Sequence, residues 1–351
     1  MQTQNGDWYY MAFVDAYPGG RVPVLAPIKF DANGWPVLQT VNGAWGTSYP
    51  YPNVPAPANQ VKAPTGVDTF TGTALGPEWE WNHNPDTSKF SVNNGLTLQT
   101  ATVTNDLYSA RDTLTHRILG PQSTATISLD YSGMHDGDRS GLAMFRDSSA
   151  WIGIKRDNGA TRLVMENNIT MDGNWNTTNT GSDAASTSIS GGTIWLRVNA
   201  DITPGSGKQA HFSYSTDGVN FTAFGPAFTM NNSWQYFIGY RFGIFNYATT
   251  ALGGSVKVGQ FALTAPGSST NTVTVTNPGS QSGAAGTAIS GLQVHATDSA
   301  SGQTLTYSAT GLPPGLSISS SGLISGTPTT AGSFSTVVTA TDTTGASGSA
   351  G

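Results

Sequence analysis

"STATISLDYSG", residues 123–133, is the stretch on which the fold turns. Ile127, Leu129 and Tyr131 fall on one side of an extended chain, and Thr126, Ser128 and Asp130 on the other. Alternation with a period of two is the mark of a half-buried strand, apolar toward a core and polar toward solvent. The same period returns in "TIWLRVNAD" at 193–201, where Ile194, Leu196 and Val198 oppose Trp195, Arg197 and Asn199. One face of each sheet is therefore expected to be core, and the other polar with embedded aromatics. Turn signals separate such runs, among them "DNG" at 157–159 and "TDG" at 216–218. Residues 67–265 read as one long antiparallel body.

The rest of the composition agrees with strands. Of 351 residues 10% are charged, and only three are glutamate, a strong helix former: Glu78, Glu80 and Glu166. A formal charge of -6 without any basic run offers nothing to a phosphate backbone or an anionic membrane, so neither nucleic acid nor membrane is an expected partner. No apolar stretch nears the roughly 20 residues of a membrane span, and the first 30 residues lack the order of a signal peptide. With no cysteine, thiol chemistry, thiolate metal sites and disulfides are excluded.

Upstream, "WYYMAFVDAYPGGRVPVLAPIKF" at 8–30 alternates as two strands about the turn "YPGGR", a small antiparallel unit ending near residue 48. Residues 49–66 are proline-rich and read as a stiff linker. Downstream, residues 266–351 contain no Lys, Arg or Trp and two acidic residues, Asp298 and Asp342. Short β runs there, "TVTVT", "LTYSAT" and "TVVTATD", point to a linker and a small sandwich of immunoglobulin type.

Three stretches carry a resemblance. "GRVPVLAPIKF" followed by "NGWPV" resembles the last propeller blade of glycoside hydrolase family 43, whose members attack xylan, arabinan and related plant polysaccharides. "LGPEWEWNHNPDTSKFSV", "SARDTLTHRILGPQSTATISLDYSGMHDGDRSGLAMF" and "YFIGYRFGIFNYAT" resemble the concanavalin A-like sandwich that follows that propeller in β-xylosidase-type members. Residues 305–345 resemble Ig-like modules repeated in secreted bacterial proteins. The resemblance implies an all-β chain: a propeller-blade remnant (1–48), a linker (49–66), a concanavalin A-like jelly-roll sandwich (67–265) and an Ig-like sandwich (266–351). It also implies an extracellular location and xylan or arabinoxylan as partner. Family 43 enzymes carry their aspartate base, glutamate acid and third aspartate on earlier blades. The first 66 residues hold Asp7, Asp15 and Asp31 and no glutamate, so the chain reads as part of a larger hydrolase whose missing blades are a further candidate partner.

Sugars are held by flat rings stacked on Trp or Tyr, with amides and charged groups on the hydroxyls. "EWEWNHNPD" at 78–86 supplies both. In an extended segment Trp79 and Trp81 share one face, and Glu78, Glu80 and Asn82 the other. The expected binding set is Trp79, Trp81, Asn82, His83, Asn84, Arg111, Arg139 and Trp195, with Trp151 and Tyr240 as further platforms. The plain alternative makes a tryptophan a core plug, the Asn-His-Asn run a turn cap, and the arginines partners of Asp112, Asp136 or Asp138. A catalytic reading of the sandwich would have to draw on Glu78, Glu80, Asp86, Asp136 and Asp138, with two carboxyls roughly 5 or 6.5–9.5 Å apart. "HDGD" at 135–138 is a tight turn or a loop whose Asp136 and Asp138 bind a structural calcium ion. No cofactor is otherwise expected, and His83, His116 and His135 lack the spacing of a zinc site.

Overall fold

Residues Gln122–Asp130 form the expected strand, and its inward side chains Ala125, Ile127 and Leu129 are sealed from solvent. The computed structural model describes all residues except 51, 56–63, 235–236, 266–272, 300–303 and 343–346. The chain divides into two units, Met1–Pro266 and Gly267–Gly351.

In the first unit two antiparallel sheets face each other. One runs, edge to edge, Thr177–Ser188, Ala160–Met171, Ser148–Asp157, Asp138–Phe145, Arg241–Ala248, Leu114–Arg117 and Trp79–Trp81. The other runs Thr222–Ala223, Gln209–Ser215, Thr193–Asp201, Gln122–Asp130, Ser255–Thr264, Leu96–Gln99 and Phe90–Val92, with Phe228–Thr229 and Gly66–Asp68 paired beside it. Between them lies the main core, where Ile127, Leu129, Ile194, Leu196 and Val198 meet Leu142, Met144, Ile152, Ile154, Phe242 and Ile244. Each such side chain contributes about 1.5–3 kcal/mol when removed from water.

The two sheets differ on their outer faces. The nine-stranded one follows expectation, with Trp195, Arg197 and Asn199 directed outward and at least partly exposed. The seven-stranded one does not: a second apolar cluster of Ala143, Phe145, Trp151, Val164, Phe245 and Tyr247 covers its far side. The 3-10 turn Leu107–Ser109 closes over that cluster with Leu107 and Tyr108, and the Tyr108 hydroxyl donates to the Ile169 carbonyl at 3.1 Å. Burial on both faces is why "GLAMF" reads as an unbroken apolar run.

The N-terminal strands Trp8–Asp15, Arg21–Phe30 and Pro36–Leu38 form a three-stranded sheet within the same unit. Its tip is inserted into the sandwich. Tyr17 is buried and its carbonyl accepts from Gly205 N at 2.9 Å, while Tyr240 N donates to the Pro18 carbonyl at 3.0 Å. Gly20 has φ +94, and a Cβ there would lie 2.4 Å from Gly239 N, so only glycine permits this backbone approach. The body of the same sheet exposes Trp8, Tyr10, Met11, Phe13, Phe30 and Trp35. Half of the linker expected at 49–66 falls on positions outside the described residues, and its last residue, Gly66, already begins the strand Gly66–Asp68.

The second unit is a small all-β body. Val273, Val275, Val294, Ile324, Val338 and Ala340 form its core between short two- and three-stranded sheets.

Candidate functional site

The residues of "EWEWNHNPD" part company where the chain leaves the sheet. Trp79–Trp81 is an edge strand on Leu114–Arg117, pairing Trp79 with His116 and Trp81 with Leu114. Both tryptophans share a face as expected, but that face is the core. Trp79 is 8% exposed, with ring centroids at 4.9 Å from Phe261, 5.1 Å from His116 and 5.4 Å from Phe70. Its indole N–H donates to Asp68 Oδ2 at 2.8 Å. Trp81 is half-buried against Phe90 at 4.5 Å. The stacking role expected of Trp79 is therefore corrected: its faces are spent on core aromatics, and the crevice beside it, lined also by Glu78 and His116, has a volume of about 30 Å³. That is room for water, not for a pyranose.

Beyond Trp81 the chain turns outward. Asn82 N donates to the Thr113 carbonyl at 2.9 Å, and His83 Nε2 donates to the Tyr108 carbonyl at 2.6 Å. Arg111 Nε donates to the Asn84 carbonyl at 2.9 Å, and Arg111 N to Thr102 Oγ1 at 2.9 Å. These bonds fold the 82–84 and 101–111 segments around an open depression of about 460 Å³ lined by His83, Asn84, Ala101, Thr102, Ser109 and Arg111. Three expected sugar contacts, His83, Asn84 and Arg111, are brought together there and are exposed. Asn82 is exposed just before them. The lining carries guanidinium, imidazole, amide and hydroxyl groups and no carboxylate, a set able to hydrogen-bond sugar hydroxyls.

The other expected contacts are elsewhere. Arg139 has its guanidinium on Asp157 Oδ1 at 2.9 Å and on the Asp138 carbonyl at 3.0 Å. Trp195 lies on the outer face of the nine-stranded sheet, half-buried, with Gly218 packed against its indole. Trp151 and Tyr240 are sealed inside and cannot serve as platforms.

The carboxylates expected for catalysis are occupied one by one. Glu80 is bound by Arg117 Nη2 at 3.1 Å and by Arg241, whose own charge is disfavoured by burial. Asp86 accepts from the Ser88 hydroxyl at 2.7 Å and from its N–H, which hold it below the usual carboxylate range. Glu78 borders the small crevice with Asp68, which accepts from the Trp79 indole and from Phe70 N.

At "HDGD" the two aspartates are turned apart. Asp136 is half exposed and accepts from Gly159 N at 2.9 Å, whereas Asp138 is fully buried and accepts from His135 N at 2.7 Å. Desolvation pushes the Asp138 carboxyl above its ordinary value. Each of the two carboxylates of the turn thus accepts from a backbone N–H. Among the described residues no group of three or more His, Cys, Asp or Glu could hold a metal ion.

Two features escaped the sequence. On the far side of the seven-stranded sheet Lys155 binds both Glu166 and Asp183, the latter at 2.6 Å, and burial raises the Glu166 carboxyl above its usual range. Lys155 bridges the two carboxylates, and Arg162 Nη1 also reaches Asp183 Oδ2 at 3.2 Å. Where the N-terminal tip meets the sandwich, Arg21 lies 4.3 Å from the Phe13 ring centroid and 4.5 Å from that of Phe237, with Trp234 5.8 Å from Phe237. The two pairs, Phe13 with Arg21 and Trp234 with Phe237, stand more than 200 positions apart in the chain, and no local pattern joins them.

Comparison with known proteins agrees with this architecture. Residues 67–264 match the family of the β-xylosidase C-terminal concanavalin A-like domain, and residues 270–351 an Ig-domain family. A β-xylosidase of Formosa agariphila is 27% identical over 292 aligned residues, which cover 74% of this chain and 46% of that protein. Among solved structures, a family 43 glycoside hydrolase engineered to display both endo-xylanase and exo-arabinofuranosidase activity is 48% identical. It superposes with a TM-score of 0.72 over 75% of this chain and 53% of that one. A bifunctional family 43 enzyme of Bacteroides eggerthii is 30% identical, with a TM-score of 0.64 over 75% of this chain and 33% of its own. The chain spans about half the length, or less, of these relatives. With its sandwich matched from end to end, the chain belongs to the family of β-xylosidase C-terminal concanavalin A-like domains of glycoside hydrolase family 43, followed by an Ig-like domain.

Proposed function

We propose that this chain binds xylan or arabinoxylan without cleaving it, as the sandwich-bearing C-terminal part of a family 43-type hydrolase. The observation that carries this reading is the depression that gathers His83, Asn84 and Arg111 around an open space free of carboxylates. An arginine fork suits vicinal hydroxyls, and the exposed amide and imidazole supply further donors and acceptors. The β-xylosidase and xylanase names of its relatives favour a xylan-type polymer over other glycans. Such a polymer lies outside cells, and there we place the chain.

The catalytic alternative lacks comparable support, because Glu80, Asp86 and Asp138 are each tied to arginine, serine or backbone partners. Hydrolysis then belongs to blades beyond this chain. The exposed apolar side chains of the N-terminal sheet, Trp8, Met11, Phe13 and Phe30 among them, are what such blades would cover.

Affinity electrophoresis through soluble arabinoxylan tests the reading. Retardation of the full chain, weakened about tenfold by Arg111→Ala or His83→Ala, is expected, in line with about 1–2 kcal/mol per charged or polar contact. A chain that migrates through every xylan, arabinan and glucan as through plain gel does not have this function.

A further inference from the structure

Arginine in this chain is almost always answered by an anion. All arginines except Arg111 and Arg197 lie within ion-pair distance of an aspartate or glutamate, and Arg197 covers the Phe221 ring, 3.3 Å from its centroid. Among the described residues Arg111 alone has neither. Its Nε donates to the Asn84 carbonyl at 2.9 Å, which fixes the side chain against the rim of the depression that it lines. Nη1 and Nη2 remain, two donors in a fixed fork on an exposed residue.

The aspartates around it are turned to other work. Asp106 accepts from Tyr108 N at 2.9 Å through Oδ1, and from Ser109 Oγ at 2.9 Å and Thr177 Oγ1 at 2.6 Å through Oδ2. Asp86 accepts from the Ser88 hydroxyl, and the buried Asp112 accepts from Asp86 N at 2.8 Å. The field of Arg111 reaches Asp86 and Asp112, but neither forms an ion pair with it and neither lines the depression.

The neutral groups of the lining already serve neutral hydroxyls. Ser109 Oγ gives its proton to Asp106 and so offers acceptor lone pairs, and the His83 ring, with Nε2 on the Tyr108 carbonyl, has Nδ1 as its second nitrogen. Thr102 Oγ1 accepts from Arg111 N and keeps its own proton to donate. A cation adds little to such a set when the ligand is uncharged. Against a carboxylate, the fork makes two parallel charge-assisted bonds, each roughly twice as strong as a neutral one. The chain as a whole carries a formal charge of -6, so it has no general attraction for a polyanion, and any preference for one must be local.

Resting on the binding function proposed above, we infer that the depression selects acidic xylan, with Arg111 as its specificity-determining residue. A uronic acid carried as a side group on the xylan backbone places its carboxylate on the Arg111 fork. Its ring hydroxyls, or those of the adjoining xylose, meet Ser109, His83 and Asn84.

Affinity electrophoresis of the full chain tests this on three polymers: glucuronoxylan, the same glucuronoxylan after its carboxyl groups are reduced to alcohols, and arabinoxylan. The unmodified chain is expected to bind glucuronoxylan about tenfold more tightly than its reduced form, and the preference is expected to shrink in about 0.5 M salt. Arg111→Gln is expected to abolish the preference, and Arg111→Lys, which keeps the charge without the fork, to retain part of it. Lys257→Gln, which removes an exposed cation from the nine-stranded sheet, is expected to leave it intact. Equal retardation of the unmodified chain by glucuronoxylan and its reduced form overturns the selection while the binding function stands. So does a Lys257→Gln protein that loses the preference as fully as Arg111→Gln, since bulk charge then explains it. Should Arg111→Gln fail to fold, the reduced polymer and the salt series decide the matter on the unmodified chain. A chain retarded by none of the three polymers removes both readings together.

Discussion

The guanidinium of Arg146 is fully buried 5.3 Å from the ring centroid of Tyr17, at the point where the N-terminal tip enters the sandwich. Its Nη1 donates to the Asn231 carbonyl at 2.8 Å and its Nε lies 3.4 Å from Asp147 Oδ1. One side chain thus joins the N-terminal sheet, the 231–233 segment and the strand turn at 146–147. Arg146→Ala leaves Asp147 buried beside an empty space, and a loss of about 3–5 kcal/mol is expected. Urea unfolding measures that loss, and limited proteolysis of the same variant is expected to cut first within residues 1–48.

Trp79 separates packing from binding. Its ring contacts with Phe70, His116 and Phe261 make Trp79→Ala a cavity mutation, expected to cost about 3–5 kcal/mol in denaturant unfolding. Where the variant remains folded, its retardation in arabinoxylan gels is expected to match that of the unmodified chain. A selective loss of retardation would return Trp79 to the site.

Glu80 is a strut between Arg117 and Arg241, strands that pair directly at Arg241 and Arg117. Glu80→Gln removes a charge that Arg241, largely buried, depends on, and a loss of roughly 1–3 kcal/mol is expected by chemical unfolding. Release of reducing sugar from xylan is expected to stay at the level of buffer for both proteins. Turnover by the unmodified chain that vanishes in Glu80→Gln would revive a catalytic sandwich.

Asp138 sets a pH dependence. Burial raises its folded-state pKa above the unfolded value near 3.9, so between the two the folded chain holds more protons and stability grows as pH falls. The contribution is complete below the unfolded pKa and is lost as pH rises through the folded one. Asp138→Asn is therefore expected to raise Tm relative to the unmodified chain at neutral pH, with the gap closing as pH is lowered through that window. Differential scanning calorimetry at a series of pH values reads the gap; one that widens on acidification would contradict the sign.

Much of the architecture was legible because strand alternation is local. Ile127 and Leu129, or Ile194 and Leu196, declare their faces within a few residues, and a hydrophobic side chain has one stable place to go. The polar half of the candidate site was legible for a similar reason: His83, Asn84 and Arg111 are residue types that bond hydroxyls, and they lie outside the strands. The aromatic half was not. Trp79 and Trp81 alternate as a sugar-binding pair would, but the same alternation serves a core, and only the position of Phe261 on the facing sheet settles that Trp79 belongs inside.

What the sequence by itself determined was therefore the all-β class, the alternating faces and the chemistry available in each segment, since these follow from periodicity and residue type. The tertiary structure decided which carboxylates are spent on arginine or backbone partners, which tryptophan meets water, and that the N-terminal tip is inserted at Tyr240. Those outcomes depend on contacts between positions far apart in the chain, where no local preference reaches.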